Sequence, residues 1–180
     1  AATGLPSPEE VALLAPFRDS LPIDVFAKAY NPPNSENRRQ LRQGFKAARA
    51  LLEAAGWRIK DLELRHKDSG QTFRFEIMLS RRSNERLALH LARNLKKLGI
   101  HVEVRLVDGA QYQQRTNTFD FDAIFHRWEP SLSPGNEQAY YWGSAAADNP
   151  GSRNYPGIRV PAIDALIGRI SDTPDRASLV

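Results

Sequence analysis

The chain has 180 residues, 41% of them hydrophobic, with 25 Lys and Arg against 21 Asp and Glu and no cysteine. That length and apolar fraction support an ordinary globular core without staples, and zero Cys excludes a disulfide framework and any thiolate metal site. His66, His90, His101 and His126 fall on different segments without ligand spacing, so no metal and no other cofactor is expected.

In chain order, residues 1–34 are rich in proline (Pro6, Pro8, Pro16, Pro22, Pro32, Pro33) and read as an extended lead-in. Pro8–Leu14 is the exception, a short helix that should stop before Pro16. The start, Ala1-Ala-Thr-Gly-Leu-Pro6, has neither a charged nor an apolar region and does not read as a signal peptide. From Ser35 to Ala55 the spacing predicts a helix with Leu41, Phe45, Ala48, Leu52 and Ala55 on one stripe. Asn37 and Gln40 have the spacing of a capping box, Gly56 is a stop signal, and Trp57 is expected to pack back on the helix. Leu62–His66 and Thr72–Leu79 read as a hairpin through residues 67–71, with Phe73, Phe75, Ile77 and Leu79 on one face. Ser83 is expected to cap a second helix whose buried stripe is Leu87, Leu91, Leu95 and Leu98, ended by Gly99. Ile100–Val107 alternates as a strand, so Phe73–Leu79 and Ile100–Val107 should be parallel with a right-handed crossover. Asp108 is placed to cap a helix over Gly109–Asn117. Later, Val160–Ile170 reads as a helix with Pro161 in its first turn and Ile163, Leu166, Ile167 and Ile170 on its buried side. Thr173-Pro174-Asp175 reads as one more helix start, too close to Val180 for a stable helix, so the chain reads as a fragment truncated at both ends. No apolar stretch approaches the roughly 20 residues needed to span a bilayer.

Between these helices lies the most informative stretch. Phe119, Phe121, Ala123 and Phe125 alternate with Asp120, Asp122, Ile124 and His126, and the alternation stops at Trp128 before a loop rich in Pro, Ser, Gly and Asn. On spacing alone this is a core strand ending on a half-buried Trp; the alternative is a strand that delivers Trp128 to one wall of a ligand crevice. Arg127 to Tyr155 lacks periodicity yet holds Trp128, Tyr140, Tyr141, Trp142 and Tyr155, a composition that argues for binding over disorder. Tyr140, Tyr141 and Trp142 themselves read as the start of a helix packed on the core. No nucleophile elbow, P-loop, dinucleotide fingerprint or His-Glu-x-x-His motif is present, so the chain is not expected to be an enzyme. Asp120 and Asp122 belong on the polar side of their strand, paired with arginines of a neighbouring helix.

The order Phe119 to Trp128, Ser133 to Ser144, Asn154 to Ile158 and Ile163 to Ile170, together with Arg39 to Arg42, Ala47 to Trp57 and Leu95 to Val104, resembles the C-terminal lobe of extracellular solute-binding proteins of family 5. These are the oligopeptide- and dipeptide-type receptors of ABC importers, and the YejA-like branch, associated with oligopeptides and peptide-nucleotide antibiotics, is the most similar. The resemblance implies an α/β fold of the periplasmic binding protein-like II type: a small mixed sheet with a βαβ unit covered by helices, with residues 35–180 as the lobe. It also implies a periplasmic monomer that captures a peptide or modified peptide by closing two lobes on a hinge. The N-terminal lobe of the same polypeptide and an ABC permease of the inner membrane are its implied partners.

For many peptide-binding members, an Asp a few residues after the matching Gly-Trp takes the peptide's ammonium group. This chain departs from that pattern: Arg127-Trp128 is followed by Glu129-Pro130, and the next Asp is Asp148. The candidate ligand-facing residues are Arg127, Trp128, Glu129, Asn136, Glu137, Arg153 and Tyr155. Glu129 or Glu137 would substitute electrostatically for the Asp, whereas Arg127, Arg153 or Arg81 would meet a carboxylate or phosphate instead.

The rival reading is a basic ferredoxin-like nucleic-acid-binding module that uses its sheet as a stacking platform, prompted by the net charge of +4. Against it, the strand from Phe73 lacks the Gly-aromatic pattern of an RNA-binding strand, and its aromatics share a face with Ile77 and Leu79. The densest basic run, Arg38, Arg39, Arg42, Lys46 and Arg49, has the spacing of a solvated helix face. No nucleic-acid partner is therefore expected.

Overall fold

The computed structural model describes residues 4–31, 37–129 and 135–173. The chain divides into two units, Ala1–Pro32 with Trp128–Val180, and Pro33–Arg127.

In the first unit, α1 (Pro8–Leu14) begins with a capping box. The Glu10 N–H donates to Ser7 Oγ at 3.2 Å, the Ser7 N–H donates to the Glu10 carboxylate at 2.7 Å, and Pro8 opens the first turn. The rest of the lead-in does not run extended as predicted. Ala15–Ser20 forms a 3-10 helix and α2 (Asp24–Ala27) a single α-turn. Proline blocks a long helix, yet its fixed φ suits the first turn of a short one, and Pro16 occupies that place.

In the second unit, α3 (Arg38–Ala54) carries the expected capping box: the Gln40 N–H donates to Asn37 Oδ1 at 2.9 Å and the Asn37 N–H to Gln40 Oε1 at 3.2 Å. Phe45, Ala48 and Leu52 pack on the buried Leu64, Leu98 and Ile100, and the cations Arg38, Arg39, Arg42, Lys46 and Arg49 are exposed. Gly56 ends the helix at φ +90°, a conformation glycine adopts without Cβ strain. Trp57 joins the same cluster, its ring 4.6 Å from Phe73, but from within a strand.

That strand, β1 (Trp57–Lys60), pairs antiparallel with β2 (Glu63–His66). The predicted partner of β2, residues 72–79, reaches it only through the bridge Arg65↔Thr72. The correction has a backbone cause. Asp61 and Leu62 both have positive φ, +53° and +65°, the type I′ requirement of a two-residue hairpin, and a Leu there announces no turn.

β3 (Arg74–Leu79), α4 (Glu85–Lys96) and β4 (His101–Leu106) form the predicted βαβ unit, with β3 and β4 parallel and Ile77 opposite Val104. α5 (Gly109–Asn117) is capped by Asp108, whose Oδ1 accepts from the Gln111 N–H at 2.9 Å. β5 (Ala123–Ile124) then pairs parallel with β3, giving the order β4-β3-β5. The three-stranded sheet is parallel throughout, and the antiparallel pair stands apart from it. As the middle strand, β3 buries Ile77, Met78 and Leu79 in succession. Phe73 and Phe75, both half-buried, pack against the hydrophobic clusters, as the face they share with Ile77 and Leu79 predicts.

Three details differ from expectation. Ser83 does not cap α4; it lies in a 3-10 turn, Arg82–Asn84, that precedes it. The buried side of α4 runs through Ala88 and Leu95 rather than Leu87 and Leu91, which are 59% and 39% exposed. Ala88 packs on Ile77 and Leu79, because a small side chain lets the helix axis approach the sheet closely. The predicted strand from Phe119 shrinks to two residues: Phe119 takes φ +55° and the Asp120 N–H donates to Arg115 O at 2.9 Å, which prolongs the turn after α5. Asp120 does pair with a helical arginine, Arg115 Nε at 3.1 Å, and Asp122 accepts the Glu76 N–H at 2.8 Å.

The first unit is completed by α6 (Glu137–Trp142), a 3-10 turn at Ser144–Ala146 and α7 (Pro161–Asp172), with α6 packed on α7. Ala162 and Ile167 are the buried positions of α7, while Ile163, Leu166 and Ile170 are half-buried. The helix start predicted at Thr173-Pro174-Asp175 falls largely outside the described residues. Among the described residues no helix is long and apolar enough to cross a membrane.

Candidate ligand-binding site

Between α6 and α7 the chain runs irregularly for much of its length, so its backbone groups need partners that no helix or strand supplies. Asn154, fully buried, is the principal one. Its Nδ2 donates to Gly143 O and to Ile158 O, and its Oδ1 accepts the Ile158 N–H, all at 2.9 Å. Ser152, 1% exposed, donates from Oγ to Ala146 O at 2.5 Å and accepts the Asn154 N–H at 3.3 Å. Asp164 of α7 accepts the Ser144 N–H at 2.8 Å and the Ser144 hydroxyl at 2.5 Å. Arg159 grips Asp148 through two hydrogen bonds of 2.5 Å, and that pairing lowers the Asp148 pKa. A Cβ at Gly143 would lie 2.6 Å from Ala139 O, so the exit from α6 admits only glycine.

This lock presents a group of aromatic rings. Trp128 donates from Nε1 to Arg153 O at 3.2 Å, and its ring sits 4.5 Å from Trp142 and 6.4 Å from Tyr155. The Arg153 N–H donates to Tyr140 O at 3.3 Å, and Tyr140 Oη donates to Gly151 O. Trp128, Trp142 and Tyr155 are each half-buried. Half-exposed rings on a hydrogen-bonded frame offer flat apolar area with polar atoms at its edge.

Of the predicted site residues, the structure brings Trp128, Arg153 and Tyr155 together. Glu137 is half-buried, and its carboxylate accepts the Gly135 N–H at 3.1 Å and Gln138 Nε2 at 3.3 Å. Hydrogen bonding to its own and the Gly135 backbone lowers its pKa. Asn136 is exposed and makes no side-chain cap to α6. Glu129 is exposed. Arg127 and Arg81 are exposed in the other unit. Trp142, read from sequence as helix packing, is also a ring of the cluster. The roles of Ser152 and Asn154 were not foreseen. Their available signal was the Asn154-Tyr-Pro-Gly157 turn, closed by the Gly157 N–H on Asn154 O at 3.0 Å.

An open groove in the same unit, lined by Leu5, Pro6, Val25 and Tyr30 among others, is a weaker candidate. Its charged groups are engaged locally, Glu10 with Ser7 and Asp24 with Lys28 at 3.2 Å.

Residues 17–150 match the family described as bacterial extracellular solute-binding proteins, family 5 Middle. The chain belongs to this family. Family 5 is one of solute-binding proteins and not of enzymes, in keeping with the missing catalytic motifs. The chain is 45% identical over its whole length to the uncharacterized protein y4wM of Sinorhizobium fredii, covering 27% of that protein. It is 38% identical over 98% of its length to a probable peptide-binding protein, YejA, of Agrobacterium fabrum, covering 29% of it. The oligopeptide-binding protein AppA of Bacillus subtilis, solved with a nonapeptide, superposes on 74% of the chain with a TM-score of 0.63 and 26% identity, and the match covers 27% of that chain. The chain thus spans less than a third of the length of these family-5 relatives.

Proposed function

We propose that this chain is part of one lobe of a periplasmic receptor that hands oligopeptides or modified peptides to an ABC importer. The observation that carries this reading is the half-buried group Trp128, Trp142 and Tyr155, fixed by main-chain hydrogen bonds at Arg153. Flat rings take up peptide backbone and varied side chains alike, which suits a receptor of broad peptide range. A relative named as peptide-binding and a fold relative solved with a peptide support the same class. Capture follows from a second lobe, supplied by the remainder of the polypeptide, closing over the ligand on a hinge and delivering it to the permease. The lobe alone binds weakly, since half of the ligand's burial is missing.

The test is a thermal-shift and calorimetric series on the full-length receptor with short peptides and an oligonucleotide control. Peptides at 100 times Kd should stabilise it by about 2.7 kcal/mol, and Trp128→Ala should weaken binding by at least about 30-fold, as loss of an aromatic anchor does. Trp128→Phe should keep much of the affinity. A receptor that ignores peptides and shows a salt-sensitive shift with the oligonucleotide overturns the proposal.

A further inference from the structure

We infer that Arg153 receives an oxyanion of the ligand, so that this site takes a peptide by a carboxylate or phosphate group rather than by its ammonium end. The inference rests on the peptide-receptor reading above and specifies its chemistry.

The first ground is what has become of the carboxylates. An ammonium receptor needs a carboxylate whose lone pairs are open to the ligand. In residues 135–173 Asp172, the last residue of α7, is exposed, and the other three carboxylates are engaged: Glu137 is turned onto the Gly135 N–H and Gln138, Asp148 is held by both arms of Arg159, and Asp164 is bound by the Ser144 N–H and hydroxyl. Each of these three is used in holding the loop in shape. Arg159 is likewise used, by Asp148.

The second ground is how Arg153 is mounted. Its side chain is exposed and has no hydrogen-bond or ion-pair partner among the described residues, whereas its main chain is held at both ends. The N–H is given to Tyr140 O and the carbonyl receives the Trp128 indole. Its neighbours Ser152 and Asn154 are both fully buried and hydrogen-bonded. An exposed cation on a backbone fixed at four successive points loses little main-chain freedom when it engages a ligand. The guanidinium fork matches the two oxygens of a carboxylate or phosphate. The indole bond to the Arg153 carbonyl places this residue beside the ring that the peptide is proposed to cover, so one ligand can meet both.

Glu129, exposed and next to Trp128 in sequence, is the competing charge and enters the test. Calorimetry on the full-length receptor uses trialanine with both ends free, N-acetylated, C-amidated, and amidated with a terminal phosphoserine. Amidation should weaken binding about tenfold or more, the worth of one charge-assisted hydrogen-bond pair, and acetylation much less. Recovery with the phosphoserine peptide extends the acceptor to phosphate, and no recovery confines it to carboxylate. Arg153→Gln should abolish the difference between free and amidated peptide without moving the melting temperature of the ligand-free receptor, and Arg153→Lys should restore part of it. Equal binding of free and amidated peptides overturns the inference while leaving the receptor reading intact. So does a tenfold loss on acetylation that Glu129→Gln reproduces. Failure of every peptide to bind overturns both.

Discussion

Among the described residues, the largest fully buried side chains between 33 and 127 are Leu64, Ile77, Met78, Leu79 and Thr116, all but one apolar; in the segment after Trp128 they are Ser152 and Asn154. The first region buries periodic faces of strands and helices, whose backbone groups are already paired, so apolar packing is enough. The second is largely irregular, and its interior must hold hydrogen-bonding side chains because its own carbonyls and N–H groups have no ladder to join. The parallel sheet of one unit thus contrasts with a loop of the other whose geometry is set by amide and hydroxyl groups. Binding loops profit from the second solution, since hydrogen bonds hold ring positions and arginine backbone to a particular geometry.

Substitutions at the two kinds of centre separate these cases. Leu79→Ala, which empties a site in the cluster with Ile77 and Ala88, should cost about 2–5 kcal/mol. The loss should appear in chemical denaturation and in faster amide exchange through β3 and β4, with the proposed peptide site unaltered in the molecules still folded. Asn154→Ala should cost somewhat less, about 2–3 kcal/mol, by stranding Gly143 O and both polar groups of Ile158. Its exchange signature should fall on residues 143–158, and peptide affinity should drop with it. Asn154→Leu decides whether polarity matters there: if leucine restores the melting temperature, the segment is held by packing after all and the contrast fails.

The smallest effect concerns pH. The Asp148 pKa lies below its ordinary value of 3.8 because of the hydrogen bonds from Arg159. A carboxylate with a folded pKa depressed below its unfolded one stabilises the fold above the unfolded value and loses that contribution as pH falls through the folded value. Melting temperatures of the wild type and Asp148→Asn should therefore differ at neutral pH and converge from about pH 4 downward. The difference should be small, because the pair is exposed to solvent and screened. A gap that persists undiminished at pH 2 would show that Asp148 acts through something other than its charge.

Local pattern carried much of the fold. The capping box at Asn37, the cap at Asp108, Pro161 in the first turn of α7 and the βαβ pairing of β3 with β4 each depend on residues close in sequence or on strict periodicity. So does the family, because its order of motifs is written in the chain, and Trp128 with Tyr155 stood out by composition. Other features depend on backbone conformations and contacts that no sequence pattern announces. Whether Phe119 continues a strand was decided by the turn after α5, the buried side of α4 by the fit of Ala88 against β3, and the partner of β2 by two positive φ angles at Asp61 and Leu62. The carboxylates follow the same rule. Glu129, Glu137 and Asp148 look equivalent in sequence, and only the tertiary structure turns Glu137 onto a backbone N–H and Asp148 onto Arg159, since the accessibility of a charge depends on which donors the fold brings within about 3 Å of it.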